Sequence, residues 1–274
     1  MAMSTIIVVT NFSASSQNAL DYVCAYKHKQ PARIILLRVL SFSAGFAGDG
    51  VSMAAISDVT VMDEGLLEAE KQRILSIYPD AHLETRLVTG QFIEALQDEV
   101  DEEGANLVAM GTEGDYNDVM SWDNHILDAF IDLSVPVLMV PATLRFSAIK
   151  QIAFACNYKR EDLYGPVQTL RRLLTYTQAR LHFVHVGATL TEEELMWKGK
   201  WQKELAGMNV VFEELEAKHV VAELDSFSNN NAIDLLAIRP HRAGIWDSIF
   251  SKSNTRDISH LNSIAVLALR GGGI

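Results

Sequence analysis

Cysteine is nearly absent: Cys24 and Cys156 are the only two in 274 residues. That is too few for a disulfide framework and fits a reducing cytoplasm, the expected location. No apolar run approaches the ~18 residues of a membrane-spanning helix. The opening MAMSTIIVV has no charged region ahead of its apolar residues, so neither a membrane contact nor a signal peptide is expected. Basic residues are also short, 23 Lys+Arg against 35 Asp+Glu for a net charge of −12, which weighs against nucleic acid as a partner. The shortage is confined to one half. Residues 1–147 hold 8 Lys+Arg and 21 Asp+Glu, net −13, whereas 148–274 hold 15 and 14, net +1. No CxxC, HExxH, phosphate-loop lysine motif or Ser-His-Asp order is present, so no known catalytic motif is on offer.

What is present is best read from Asn106 to Pro141. Leu107 to Met110 is an apolar run of the kind that fits a strand buried on both faces. A loop with Gly111 and Gly114 follows, where missing β-carbons permit a sharp turn or a close ligand. Ile126, Leu127, Phe130 and Leu133 then recur at helical spacing, and Val137 to Val140 closes the stretch between Pro136 and Pro141. Strand, glycine loop, helix, strand is half of a doubly wound α/β fold, and its loop lies where such folds hold ligands.

The same alternation fills the preceding residues. Strands are expected at Ile6–Thr10, Arg33–Leu40 and Leu83–Val88. Helices are expected after Asn11-Phe12-Ser13, from about Val59 to Ile77, and over Gln91–Val100. Ser41 to Asp58 reads as a long Gly/Ala/Ser loop with Phe42, Phe46 and Met53, suited to a flap or a partner contact. After a short linker the pattern restarts. Ile152–Cys156 echoes Ile6–Thr10 at an offset of 146, and Arg180–Val186 echoes Arg33–Val39 at 147. Leu235–Arg239 echoes Leu107–Gly111 at 128, and Val266–Leu269 echoes Val137–Val140 at 129. The chain is therefore a tandem duplication of a parallel-sheet unit.

Gly111, Gly114 and the Pro136-Val-Leu-Met-Val-Pro141 strand make the first unit resemble the universal stress protein (UspA) family, and the duplication extends the resemblance over about residues 3–270. That family's nucleotide loop carries a third glycine followed by Ser or Thr, and here Asn124-His125 stands at that spacing. The resemblance implies two tandem Rossmann-like (adenine nucleotide alpha hydrolase-like) domains, at 1–144 and 148–274. Each would have a five-stranded parallel sheet in order 3-2-1-4-5. It also implies that the two halves pair as an intramolecular pseudo-dimer, with a further homodimer as an option. By position, the family's nucleotide contacts fall on Asn11, Phe12, Val39, Met110, Gly111, Gly114, Asn124 and His125. In the second half, Arg239, Arg242 and Lys252 replace the glycines, with Asn157 and Ser253 beside them. These five form a candidate anion site, or a degenerate site whose bases pair with acids.

Charge bears on which reading holds. Glu113, Asp115, Asp118, Asp123, Asp128 and Asp132 surround the first loop with no Lys or Arg among them, and read most simply as a solvated helix face. A phosphate at about 4 Å from a carboxylate loses roughly 1 kcal/mol even in water, against about 0.3–1 kcal/mol gained from a helix N-terminus. Mg²⁺ could reverse this, with His125, Asp123 and Asp128 as ligands. The expectation is a non-catalytic stress-response binding module with reduced or lost ATP binding and no certain cofactor. The alternatives are an ATP sensor with slow ATPase activity, or a pure protein-interaction scaffold. Cys156 reads as structural, His182 and His185 as pointing to opposite faces, and Trp197 with Trp201 as packing.

Overall fold

In the computed structural model the residues described are 4–27, 32–41, 53–113, 122–156, 158, 164–187, 189–216, 220–239 and 263–270. They divide into two compact units, with the change from one to the other after Phe146.

The first unit runs β1 (Ser4–Val9), α1 (Ala14–Lys27), β2 (Ala32–Leu40), α2 (Met53–Ile77), β3 (His82–Thr89), α3 (Phe92–Glu102), β4 (Leu107–Thr112), α4 (Trp122–Asp132) and β5 (Val137–Pro141). Its strands lie in the order β3-β2-β1-β4-β5, every neighbouring pair parallel. The inner strands are apolar without alternation because helices cover both faces, and Ile6 to Val9 and Val108 to Met110 are all buried. The edge strand β3 alternates instead. Its Glu84 and Arg86 join Arg33 and Glu103 in an ion-pair chain at the surface.

The second unit runs β6 (Gln151–Ala155), α5 (Tyr164–Thr177), β7 (Arg180–Val186), α6 (Glu192–Glu204), β8 (Val210–Leu215), α7 (Val220–Asn230), β9 (Leu235–Ile238) and β10 (Ala265–Ala268). Its order, β10-β9-β6-β7-β8, is again all parallel and is the first unit's order repeated. Helix α6 starts on a capping box, in which Thr191 Oγ1 accepts from Glu194 N while Glu194 Oε2 accepts from Thr191 N.

One feature departs from the sequence reading. Helix α2 begins at Met53, six residues before Val59, since Met, Ala and Ile are helix formers that the Gly/Ala/Ser composition of the region conceals. Phe42 and Phe46 lie outside the described residues. The segment after β5 packs back on the first unit. Asn18 Nδ2 donates to the carbonyls of Pro141 and Leu144, at 2.8 and 2.7 Å, and Phe146 packs edge-on against Tyr22.

Candidate functional site

In an open parallel sheet the crevice lies beyond the carboxyl ends of the strands, where the strand order reverses. In the first unit that point is between β1 and β4. The β1–β2 ladder ends at the Val9–Leu37 pair, and Thr10 N donates to Leu37 O at 2.8 Å. Strand β2 continues to Leu40 along β3 alone, which places Val39 backbone at the crevice while its side chain is buried. Met110 is fully buried within β4.

The turn from β1 into α1 is closed by its own side chains. Phe12 N donates to Thr10 Oγ1 at 2.9 Å, while Asn11 Oδ1 accepts from Ser13 N at 3.1 Å and from Ser13 Oγ at 2.6 Å. This Asx turn holds Phe12 at φ 64°, left-handed backbone that an aromatic residue adopts only under constraint. Ser13 Oγ in turn accepts from Ser16 N at 3.3 Å as the α1 N-cap, and Ser15 Oγ lies 2.8 Å away. With Oδ1 committed to the turn, Asn11 offers a ligand its Nδ2 donor, where an aspartate would be acceptor only.

Gly111 serves packing. A β-carbon there would fall 2.0 Å from Ser15 O and 2.7 Å from Ser16 N, so the residue lets α1 lie directly on β4. Its carbonyl accepts from Trp122 Nε1 at 2.7 Å. Asp123, in the first turn of α4, departs from the expected solvated face. It is buried, and its Oδ1 accepts from Thr112 Oγ1 at 2.7 Å and from Glu113 N at 3.3 Å. Two donors at the end of β4 make burial of this carboxylate tolerable. Glu113 is exposed, with Oε1 3.5 Å from Ser15 Oγ at the α1 N-terminus.

Asn124 is half-buried and engaged by its surroundings. His125 stacks on the Phe92 ring, centroids 4.3 Å apart at 19°, and burial lowers its pKa against the opposing charge of Asp128. Burial raises the Asp128 carboxyl, with His125 opposing and Asp132 adding to the rise. The set of His125, Asp123 and Asp128 is thus not assembled as metal ligands. Among the described residues no group of three such side chains lies close enough to hold an ion. Gly114, Asp115 and Asp118 lie outside the described residues.

Sequence reasoning missed Arg38 and Asp63, which pack beside the β1–α1 turn. Arg38 Nε donates to Asp63 Oδ2 at 2.7 Å, with Asp63 only 2% exposed, and the guanidinium sits 5.4 Å from the Phe12 ring centre. A charge inside the apolar run IILLRVL was the available signal.

The second unit repeats this with other residues. Tyr158 stands where Phe12 stands and His185 where Arg38 stands, at offsets of 146 and 147. Tyr158 is fully buried, stacked on Phe183 at 5.5 Å and on His185 at 5.3 Å, and its hydroxyl has no hydrogen-bond partner among the described residues. His185 Nδ1 lies 3.3 Å from Cys156 O, and the Cys156 thiol is pushed up to about 12 by burial despite Arg239, so it is no ready nucleophile. His182 faces the other side. Its Nε2 is 3.0 Å from Gln151 Oε1, and its Nδ1 is 3.5 Å from Glu213 Oε1, an ion-pair distance without hydrogen-bond geometry. Trp201 packs on Phe183 and Phe154, and Lys200 covers Trp197. Arg239 ends next to β9 and is engaged by its surroundings, whereas Asn157, Arg242, Lys252 and Ser253 lie outside the described residues.

Two doubly wound α/β units in tandem define the class of fold. The family is explicit in the sequence: residues 3–141 match the model of the universal stress protein family, and the chain belongs to that family. It is similar in fold to a universal stress protein from Archaeoglobus fulgidus, with TM-score 0.72 and 14% identity over 98% of this chain and 96% of that one. A universal stress protein described as putative, from Pseudomonas aeruginosa UCBPP-PA14, gives 0.57 and 15% over 98% and 93%. A functionally unknown protein from Pseudomonas aeruginosa PAO1 gives 0.55 and 14% over 98% and 93%. At these identities the likeness concerns the fold alone. No curated protein matches the sequence.

Proposed function

We propose that this chain is a non-catalytic binding or regulatory module of the universal stress protein class, cytoplasmic, with domains at 1–144 and 148–274 and a reduced or lost capacity for adenine nucleotides. Among the described residues no helix is long and apolar enough to cross a membrane. The observation that carries the reading is the position of Glu113. Its carboxylate stands beside Ser15 at the N-terminus of α1, where a ligand's phosphates would draw on the same helix end. The hydroxyls of Thr10, Ser13 and Ser16 are already bonded to one another or to backbone. The proposal includes the intramolecular pseudo-dimer of the two halves that the family resemblance implies. A basic site at Asn157, Arg239, Arg242, Lys252 and Ser253 belongs to it as a partner for carboxylates rather than for a free anion.

One observation favours a second reading, an ATP-binding sensor. Val39 backbone lies beyond the end of the β1–β2 ladder and Asn11 follows β1, and both residue types can hydrogen-bond a base or ribose. Thermal-shift measurements with ATP, ADP, AMP and cyclic nucleotides, each with and without Mg²⁺, separate the two. The sensor reading predicts about 2.7 kcal/mol of added stability at 100 times the dissociation constant. The proposed reading predicts no saturable shift.

A further inference from the structure

We infer that the outward face of α2 is a docking surface for an amphipathic, lysine- or arginine-rich helical segment of a partner protein. The inference does not depend on whether a nucleotide is bound. Helix α2 is attached to its unit by buried Asp63, Leu67 and Ile74. Beside that inward stripe, Val59, Met62 and Leu66 recur at i, i+3 and i+7, at 38%, 58% and 40% exposure, and Val61 follows at 65%. Single exposed apolar side chains are ordinary, but four within one short stretch of a surface helix form a patch. Gly65 adds an open stretch of backbone next to them: apart from its chain neighbours and its own helix backbone, no atom among the described residues lies within 4 Å of the position a β-carbon would take.

Charge selects the occupant. Between Met53 and Glu70 the helix carries Asp58, Asp63, Glu64, Glu68 and Glu70, with no Lys or Arg. Asp63 is taken by Arg38, and the helix's two cations, Lys71 and Arg73, are taken by Glu68 and by Asp21 with Glu70. Asp58 and Glu64 are exposed and have no ion pair among the described residues. An apolar stripe with an acidic rim is complementary to apolar anchors flanked by cations, the pattern of helical segments that lie on a partner's surface. A second copy of this helix would bring the same acids. Four partly exposed side chains also fall far short of the about 800 Å² per partner that a stable dimer buries.

The test uses the full chain and two labelled amphipathic peptides with identical leucine positions, one with lysine and one with glutamate at every polar position. Fluorescence anisotropy is read at low and moderate salt. The lysine peptide is expected to bind and to weaken as salt rises, and the glutamate peptide not to bind. Met62→Ser with Leu66→Ser leaves every charge in place and is expected to weaken the lysine peptide at least tenfold. Asp58→Asn with Glu64→Gln and Glu68→Gln is expected to weaken it and to flatten the salt dependence. Leu195→Ser with Met196→Ser, exposed apolar residues on α6, is expected to change nothing. Unchanged circular dichroism and melting temperature establish that each variant folds. Equal binding by the Met62/Leu66 variant overturns the inference, because acidity alone then holds the peptide. So does failure of the unaltered chain to bind. A dimer in sedimentation that the same variant makes monomeric identifies a second copy as occupant and also overturns it, as does adsorption to neutral lipid vesicles lost in that variant.

Discussion

A single methyl group added at Gly111 tests how closely α1 lies on the sheet. The β-carbon of an alanine would meet Ser15 O at 2.0 Å, Ser15 C at 2.2 Å and Ser16 N at 2.7 Å. Ordinary contact begins near 3.4 Å, so α1 must retreat by an ångström or more, and the obstacle is backbone that no rotamer change can move. Overpacking of a core by one or two carbons typically costs about 1–3 kcal/mol, and a rigid obstacle places Gly111→Ala at or above the top of that range. For a unit of this size that lowers the melting temperature by roughly 6–12 °C, taking about 2–4 °C per kcal/mol. Gly65→Ala is the matched control. It lies inside α2 with open space around it, so alanine should stabilise by about 0.5–1 kcal/mol through helix propensity. Urea unfolding of both variants against the unaltered chain gives the two numbers. A Gly111→Ala change within about 0.5 kcal/mol of zero refutes the close approach, whatever Gly65→Ala does.

Asp63→Ala removes the acceptor that holds Arg38 over Phe12 and is expected to destabilise by about 1.5–3 kcal/mol in denaturant titration, whereas a loss below half a kcal/mol makes the pair ornamental. Tyr158→Phe deletes a buried hydroxyl with no partner among the described residues, so stability should hold or rise by about 1 kcal/mol, and a clear loss shows that the hydroxyl is satisfied. Burial lowers the His125 pKa below that of the unfolded chain, so protonation favours unfolding. The stability His125 supports is present above about pH 6.5 and is lost as pH falls through the lower folded value. His125→Phe keeps a ring against Phe92 and should flatten the stability slope between about pH 7 and pH 5.5, while an unchanged slope assigns it to other groups.

The architecture was legible in the sequence because its inner strands are buried on both faces. Ile6–Val9, Ile34–Leu37, Val108–Met110 and Val137–Val140 are continuous apolar runs, which a half-exposed strand would interrupt. The duplication showed for the same reason, since these runs recur at nearly constant offsets. The start of α2 was concealed by a composition shared between loops and helices. The candidate site was legible only in outline. Asn11, Phe12, Val39 and Gly111 were placed by the strands they end, but the contacts around them depend on partners distant in sequence: Gly111 on Ser15, Arg38 of β2 on Asp63 of α2, and Glu113 on Ser15. Asp123 was read as a solvated helix acid because periodicity says which face a residue occupies and nothing about donors waiting at a strand end. Thr112 Oγ1 and Glu113 N supply those donors.

The central claim is that the Glu113 carboxylate beside the α1 N-terminus, with a turn closed by its own hydroxyls, leaves the first crevice poorly suited to a triphosphate. Calorimetric titration of Mg-ATP into the unaltered chain, and into a variant carrying Glu113→Gln, Asn124→Gly and His125→Ser, tests this most directly. The account predicts no saturable heat for the unaltered chain up to millimolar nucleotide, and measurable binding in the variant. Tight binding by the unaltered chain, unchanged or weakened in the variant, contradicts it.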